Sequence, residues 1–307
     1  MTNDARAAEQ AGESEDLIPF GNAPRPTTND EFARRLVDAL QPDPAASGWS
    51  LRGAAPQVSA ELQGADVASL VVDVTGLVVE QAPGASTREP LSEPPPADRT
   101  TTRLRTEPAA LHRAQLRARP IHVQGVPVTI EAEGVDLPLD WVHLAGGGLA
   151  IDVPVDQPER LRTGSAVRLR VRADVAPVVR AMAGAARPGL AAEGIRLERE
   201  RLSLRQLGPR RVRFEGRARV RWKIFRLRVK VSGVLAVDGR LVLSLSDFRL
   251  RVSNPLLNLA FHGFFRELAA ELQQSVDLND SLAPWTIRHL RMRAGRRVEV
   301  DLELRPR

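Results

Sequence analysis

The residues best placed to do chemistry in this chain are arginines. Between Pro209 and Val252, Arg211, Arg213, Arg217, Arg219, Arg221 and Lys223 stand on odd positions. Val212, Phe214, Ala218, Val220, Trp222 and Ile224 stand on even ones. A period of two places the cations on one face of a strand and the apolar side chains on the other. The chemistry offered is recognition of anions, since a guanidinium is always charged and presents several donors. Signals for catalysis are missing. The histidines are His112, His122, His143, His262 and His289, and no two stand at the i, i+4 spacing of a helical metal pair. Cysteine is absent, which removes disulfides, thiolate metal sites and thiol nucleophiles. Gly146-Gly147-Gly148 is followed by Leu149 and Ala150 rather than lysine, so it is no phosphate loop of the Walker kind. Asp136 and Asp140 flank Leu-Pro-Leu, where a turn accounts for them better than paired acid–base carboxylates. Asp277 and Asp280 lack the further oxygen donors of a calcium loop and read as a turn at a helix C-terminus. The expectation is a protein that is not an enzyme and needs no cofactor.

Several elements must position those arginines. At Ile224-Phe225 the phase slips, and Phe225, Leu227, Val229 and Val231 become the apolar set. Such a slip predicts a β-bulge or sharp bend within one very long strand. Asp238-Gly239 predicts a hairpin, with return through Leu241, Leu243 and Leu245. Asn254-Pro255 then opens a stretch with Leu257, Phe261, Phe264, Phe265, Leu268, Leu272 and Val276 at helical spacing. A helix over 255–276 would be about 33 Å long. Packing on the sheet is its simplest role, and that role is compatible with a ligand held between the two.

Upstream, residues 1–28 are polar and acidic and predict a disordered tail. Asn29 or Asp30 caps a short helix with Phe32, Leu36, Val37 and Leu40 on one face. Strands are expected over Gln57–Leu62 and Ala68–Glu80, the 29–80 region forming part of the main domain. Residues 81–99 are a proline-rich linker or loop. The main domain follows at 100–307. Within it a strand at Thr101–Arg105, two helical turns at Pro108–Gln115, and strands at Ile121–Val135, Leu137–His143 and Leu149–Val155 are expected. A strand through Val167, Leu169 and Val171 precedes a helix from Ala176 to Gly184, broken at Arg187-Pro188. The Arg-Leu-Arg triplets at 103–105 and 168–170 suggest an internal repeat, or a coincidence in an arginine-rich chain. Trp285–Met292 and Arg297–Leu304 read as a closing hairpin.

Charge divides along the chain. Residues 1–100 hold 7 Lys+Arg and 16 Asp+Glu, and the remainder 37 and 22, so a basic body follows an acidic front. Basic bodies attract nucleic acid or anionic membranes. Nucleic acid is the less favoured of the two, because Phe214 and Trp222 lie opposite the arginines instead of offering a stacking platform among them. The first residues are acidic and lack the apolar core of a secretory signal, and no run approaches a membrane span. A cytoplasmic location is expected, with peripheral attachment to a membrane as a further option.

The order of long bent strands and an amphipathic helix resembles the tubular lipid-binding (TULIP) fold. More narrowly, residues from about 65 to 304 resemble the LmeA-like family of bacterial phospholipid-binding proteins. SGVLAVDGRLVLSLSDFRLRV at 232–252, the following PLLNLAFHGFFREL, and HLRMRAGRRVEVDLEL at 289–304 carry the likeness. It implies an α+β fold, a curved antiparallel sheet wrapped around a long amphipathic helix, with an apolar groove for acyl chains. The groove would be lined by Val212, Phe214, Val220, Trp222, Ile224 and Leu243, and closed by Leu257, Phe261, Phe264, Phe265, Leu268 and Leu272. Arg211, Arg213, Arg217, Arg219, Arg221 and Lys223 would face anionic lipid or water. Burying a 16-carbon chain is worth roughly 12 kcal/mol gross, at about 0.8 kcal/mol per methylene. A structural or interaction module of the same fold with a closed core is the alternative, as is a basic nucleic-acid binder.

Overall fold

The computed structural model describes residues 17–41, 49–81, 102–192, 194–222, 225–253 and 275–307. These are mostly β-structure with few helices. The first strand, β1 (Ile18–Asn22), is followed by helix α1 (Asn29–Ala39). Thr28 caps α1, its Oγ1 accepting from the Glu31 amide at 3.3 Å, and Asp30 and Glu31 favour the positive end of the helix dipole. The cap therefore lies one or two residues earlier than the Asn29 or Asp30 expected. Phe32 and Leu36 form its buried stripe.

Four short strands come next: β2 (Trp49–Gly53), β3 (Gln57–Gln63), β4 (Asp66–Asp73) and β5 (Leu77–Gln81). The single strand expected over Ala68–Glu80 is thus two, parted where Asp73 accepts from the Thr75 amide at 2.9 Å in an Asx turn and Gly76 takes φ +82°. Then β6 (Arg103–Val123) and β7 (Val126–Leu144) make a very long hairpin. Its two-residue turn puts both Gln124 (φ 50°) and Gly125 (φ 75°) in the left-handed region, the type I′ geometry that matches strand twist. Pro108–Gln115, expected to be helical, lies inside β6. Ala109 to Leu111 and Ala114 pair with β7, and cross-strand pairing overrides the weak local helix preference. The repeat loses its support, because the first of its two units has no helix.

β8 (Gly148–Asp152) and β9 (Ala166–Asp174) lead into α2 (Val175–Ala192). This helix runs through Pro188 instead of ending before it. β15 (Trp285–Ala294) and β16 (Arg297–Pro306) form the expected closing hairpin. Together these strands build an eleven-stranded sheet in the order β15-β16-β9-β7-β6-β4-β3, with β5, β2, β8 and β1 attached off this path. It is antiparallel except where β4 and β5 run parallel to β6.

Phe20, Phe32 and Trp141 form its aromatic centre, with ring centroids 5.1–6.0 Å apart. Val67, Leu111, Leu139, Leu149 and Ile151 complete that core. The Trp141 indole donates to the Ala65 carbonyl at 2.9 Å, so its one polar atom is satisfied. Phe20 is fully buried and β1 pairs with β8, so 17–28 depart from the disordered tail expected over 1–28, with Phe20 anchoring them in the core. Residues 1–16 and the linker at 82–99 lie outside the described residues.

The second sheet is a five-stranded antiparallel meander: β10 (Ile195–Gly208), β11 (Arg211–Trp222), β12 (Phe225–Val237), β13 (Val242–Val252) and β14 (Val276–Asp277). Val237, Leu241, Ile287 and Leu290 form a cluster between the two sheets, backed by Leu243, Leu278 and Leu302. Arg210 donates to the Leu290 carbonyl at 3.2 Å across the same seam. The long helix expected over 255–276 lies outside the described residues except at its end. There the expectation fails: Val276 is in β14, paired with Leu243, and Asp277 is the N-cap of a short helix, α3 (Leu278–Ser281), not a C-terminal turn. Among the described residues no helix is long and apolar enough to cross a membrane.

Candidate functional site

The phase slip at 224-225 is a hairpin, not the bulge or bend expected. Trp222 pairs with Phe225, leaving two residues between the strands. A two-residue connection sets even positions on β11 opposite odd positions on β12, so the slip keeps both apolar sets on one face. The register reads Val212↔Leu235, Phe214↔Gly233, Gly216↔Val231, Ala218↔Val229 and Val220↔Leu227. The one very long strand expected here therefore folds back on itself as two paired strands. Gly233 allows Phe214 to lie flat: a Cβ there would come within 2.8 Å of the Phe214 ring and 3.0 Å of Leu245. Gly216 makes the same room for Val231. Leu245, Leu250 and Val252 of β13 extend this face.

Of the residues expected to line a groove, Val212 is buried and Phe214 and Val220 are half-buried on this one face. Leu243 packs into the cluster between the sheets. Trp222 is at the hairpin end of β11. Ile224, Leu257, Phe261, Phe264, Phe265, Leu268 and Leu272 lie outside the described residues, as does Lys223. Along the β10 margin α2 packs on the sheet, and Arg187 meets Glu200 at 3.2 Å.

The opposite face carries the cations. Its rows run across strands: Arg196–Arg221–Arg226, Arg199–Arg219–Arg228, and Arg201–Arg217–Lys230–Arg251. Arg205 pairs with Arg213, and Arg249 lies beyond Ser232. All of these cations are exposed. Glu215 is the only described carboxylate ion-paired to this array, reaching Lys230 at 3.9 Å. Like charges directly opposite one another destabilise a sheet. The alternation in the sequence marks the β11 column but not its neighbours on β10. A bulge between Leu197 and Arg199 breaks the alternation there, so the period of two is legible only from Arg199 onward. Six cations, Arg199, Arg201, Arg217, Arg219, Arg228 and Lys230, line a depression of about 450 Å³. A second depression, of about 640 Å³, lies at the seam between the sheets, lined by Arg210, Arg211, His289 and Arg291 over Val237 and Leu290.

The larger sheet treats its arginines differently. Across five strands the register reads Arg117–Glu131–Arg170–Asp301–Arg291, a row of alternating sign. Its neighbours are Glu133–Arg168–Glu303–His289 and Thr129–Arg172–Glu299–Arg293. Arg170 donates to Asp301 at 2.9 Å and lies within 4 Å of Glu131 and Glu299. The hydrogen bond from Arg170 holds the Asp301 carboxyl below its ordinary range, and the same bond raises the Arg170 guanidinium. One sheet is neutralised pair by pair, and the other is left cationic.

Asp136 and Asp140 are not the turn expected, because both are in β7. Nor do they act as a pair. Asp136 is 3.1 Å from His112 Nδ1, whose Nε2 is 3.6 Å from Asp66. The buried Asp140 accepts two bonds from Arg160, at 3.0 and 2.6 Å, and these raise the Arg160 pKa. Among the described residues no group of three or more histidines and carboxylates is placed to hold a metal ion. Comparison with protein-family models, curated proteins and solved structures finds no match for this chain.

Proposed function

We propose that this is a non-enzymatic lipid-binding protein that holds acyl chains against the apolar face of the five-stranded sheet. The observation that carries the reading is the division of that sheet. Phe214, Val220, Leu227, Val229, Val231, Leu250 and Val252 give one face a continuous half-buried apolar surface. An acyl tail offers no hydrogen bonds, so a surface of this composition suits it. The resemblance to the LmeA-like family and the TULIP architecture belongs to this reading. So does the sequence of residues 254–274, whose apolar stripe would supply the opposing wall. Native mass spectrometry and solvent extraction of the purified full chain test the reading. Co-purified phospholipid is the expected result. Its absence, with no uptake of a fluorescent acyl probe, would overturn it in favour of a structural module with a closed core.

A further inference from the structure

We infer that the cationic face of the five-stranded sheet docks on the surface of an anionic phospholipid bilayer. The inference goes beyond acyl binding, since it stands on the opposite face and holds whether or not a chain is taken up. Three observations support it.

The first is the cost the fold accepts. Like charges oppose each other in four pairs between β10 and β11, three between β11 and β12, and one between β12 and β13. Such columns work against the folded state. The larger sheet shows that this chain can do otherwise, since Arg168, Arg170 and Arg172 are each bridged to carboxylates of the next strand. Uncompensated charge on one sheet and compensated charge on the other indicate a ligand that supplies the missing anions.

The second is dimension. The cations spread over four neighbouring strands in at least three successive rows, so they tile an area. Strands lie about 4.8 Å apart and same-face residues about 6.7 Å apart along each strand. A nucleic-acid strand presents phosphates along a line, while a bilayer presents them in a plane. The depression ringed by six of the cations, about 450 Å³, can accept a phosphorylated headgroup below the level of that plane.

The third is composition. Among the described residues, this face of β10 to β13 carries no aromatic side chain to stack a base and no asparagine or glutamine to read one. Its remaining positions are serine, Glu215 and small aliphatics such as Val234 and Ala236.

Sedimentation of the full chain with vesicles of phosphatidylcholine, and of phosphatidylcholine with phosphatidylserine, tests the inference. Binding to the serine-containing vesicles alone is expected, with loss between about 50 mM and about 500 mM salt as the Debye length shrinks. One arginine near an anionic surface is worth roughly fivefold in affinity, so R199E/R219E/R228E should weaken binding about a hundredfold or more. The control R34E/R162E/R180E makes the same change in net charge at exposed arginines off this face and should bind far closer to the unmodified chain. Circular dichroism monitors folding; the face variant exchanges one row of like charges for another, so its cross-strand repulsion is unchanged and misfolding is not its expected outcome. Equal loss in both triple variants would overturn the inference. So would equal binding to neutral vesicles, or tighter binding of a single-stranded oligonucleotide than of anionic vesicles.

Discussion

Replacing Arg219 by glutamate should make the protein more stable while weakening its hold on anionic surfaces. Arg219 lies directly between Arg199 on β10 and Arg228 on β12. The substitution turns two repulsive cross-strand pairs into attractive ones. Such pairs are worth about 0.2–1 kcal/mol each, and their exposure to solvent favours the lower end. The net gain is then about 0.5–1.5 kcal/mol, a rise in Tm of roughly 1–2 °C for a chain of this size. The assay is thermal unfolding followed by circular dichroism at low salt and again near 1 M, where the Debye length is about 3 Å and the gain should vanish. The same exchange at Arg170 should do the opposite, since it would set a fourth carboxylate among Glu131, Glu299 and Asp301. A fall in Tm for R219E at low salt, or a gain that salt leaves untouched, would refute the electrostatic reasoning.

Other perturbations test the framework that holds this face. Phe20→Ala should destabilise by about 3–5 kcal/mol, the usual cost of emptying a packed aromatic site, read as a lower urea midpoint; a cost under about 1 kcal/mol would return residue 20 to a dispensable tail. Arg160→Met should cost about 3–5 kcal/mol at neutral pH, because it strands the buried Asp140 carboxylate, and D140N/R160M should recover much of that loss. Asp301→Asn bears on pH. Its carboxyl is depressed in the folded state, so its contribution is present above the ordinary value near 3.8 and is lost as pH falls through the depressed one. The difference in urea midpoint between D301N and the parent should be clear at neutral pH and should close in strong acid; a difference independent of pH would contradict the pairing with Arg170.

Much of the second sheet was legible because its signal is local. Alternation from Arg211 to Trp222 fixes two unlike faces, and the Asp238 turn is visible in its own residues, with Asp238 Oδ1 accepting from the Arg240 and Val242 amides at 2.8 and 2.9 Å. The slip at 224-225 was visible but ambiguous. A bulge and a two-residue turn both shift the phase by one, and only the pairing of Trp222 with Phe225 separates them. Features that depend on distant partners were not legible. Pro108–Gln115 carries a short helical preference, yet β7 on one side and β4 on the other hold it extended. Phe20 stands in a polar, proline-flanked stretch whose burial depends on Phe32 and on Trp141, more than a hundred residues away. The neutralised face of the large sheet is likewise invisible until register sets Glu131 and Asp301 on either side of Arg170.

On the proposed reading, the two faces of the five-stranded sheet meet different parts of phospholipids. Photolabelling measures this directly, using one phosphatidylserine analogue with the reactive group deep in the acyl chain and another with it at the headgroup. Mass spectrometry of the digested protein should place the acyl label on the face of Phe214, Val229 and Val231. The headgroup label should fall around Arg199, Arg219 and Arg228. An acyl label scattered over both sheets, or one confined to the arginine face, would contradict the account.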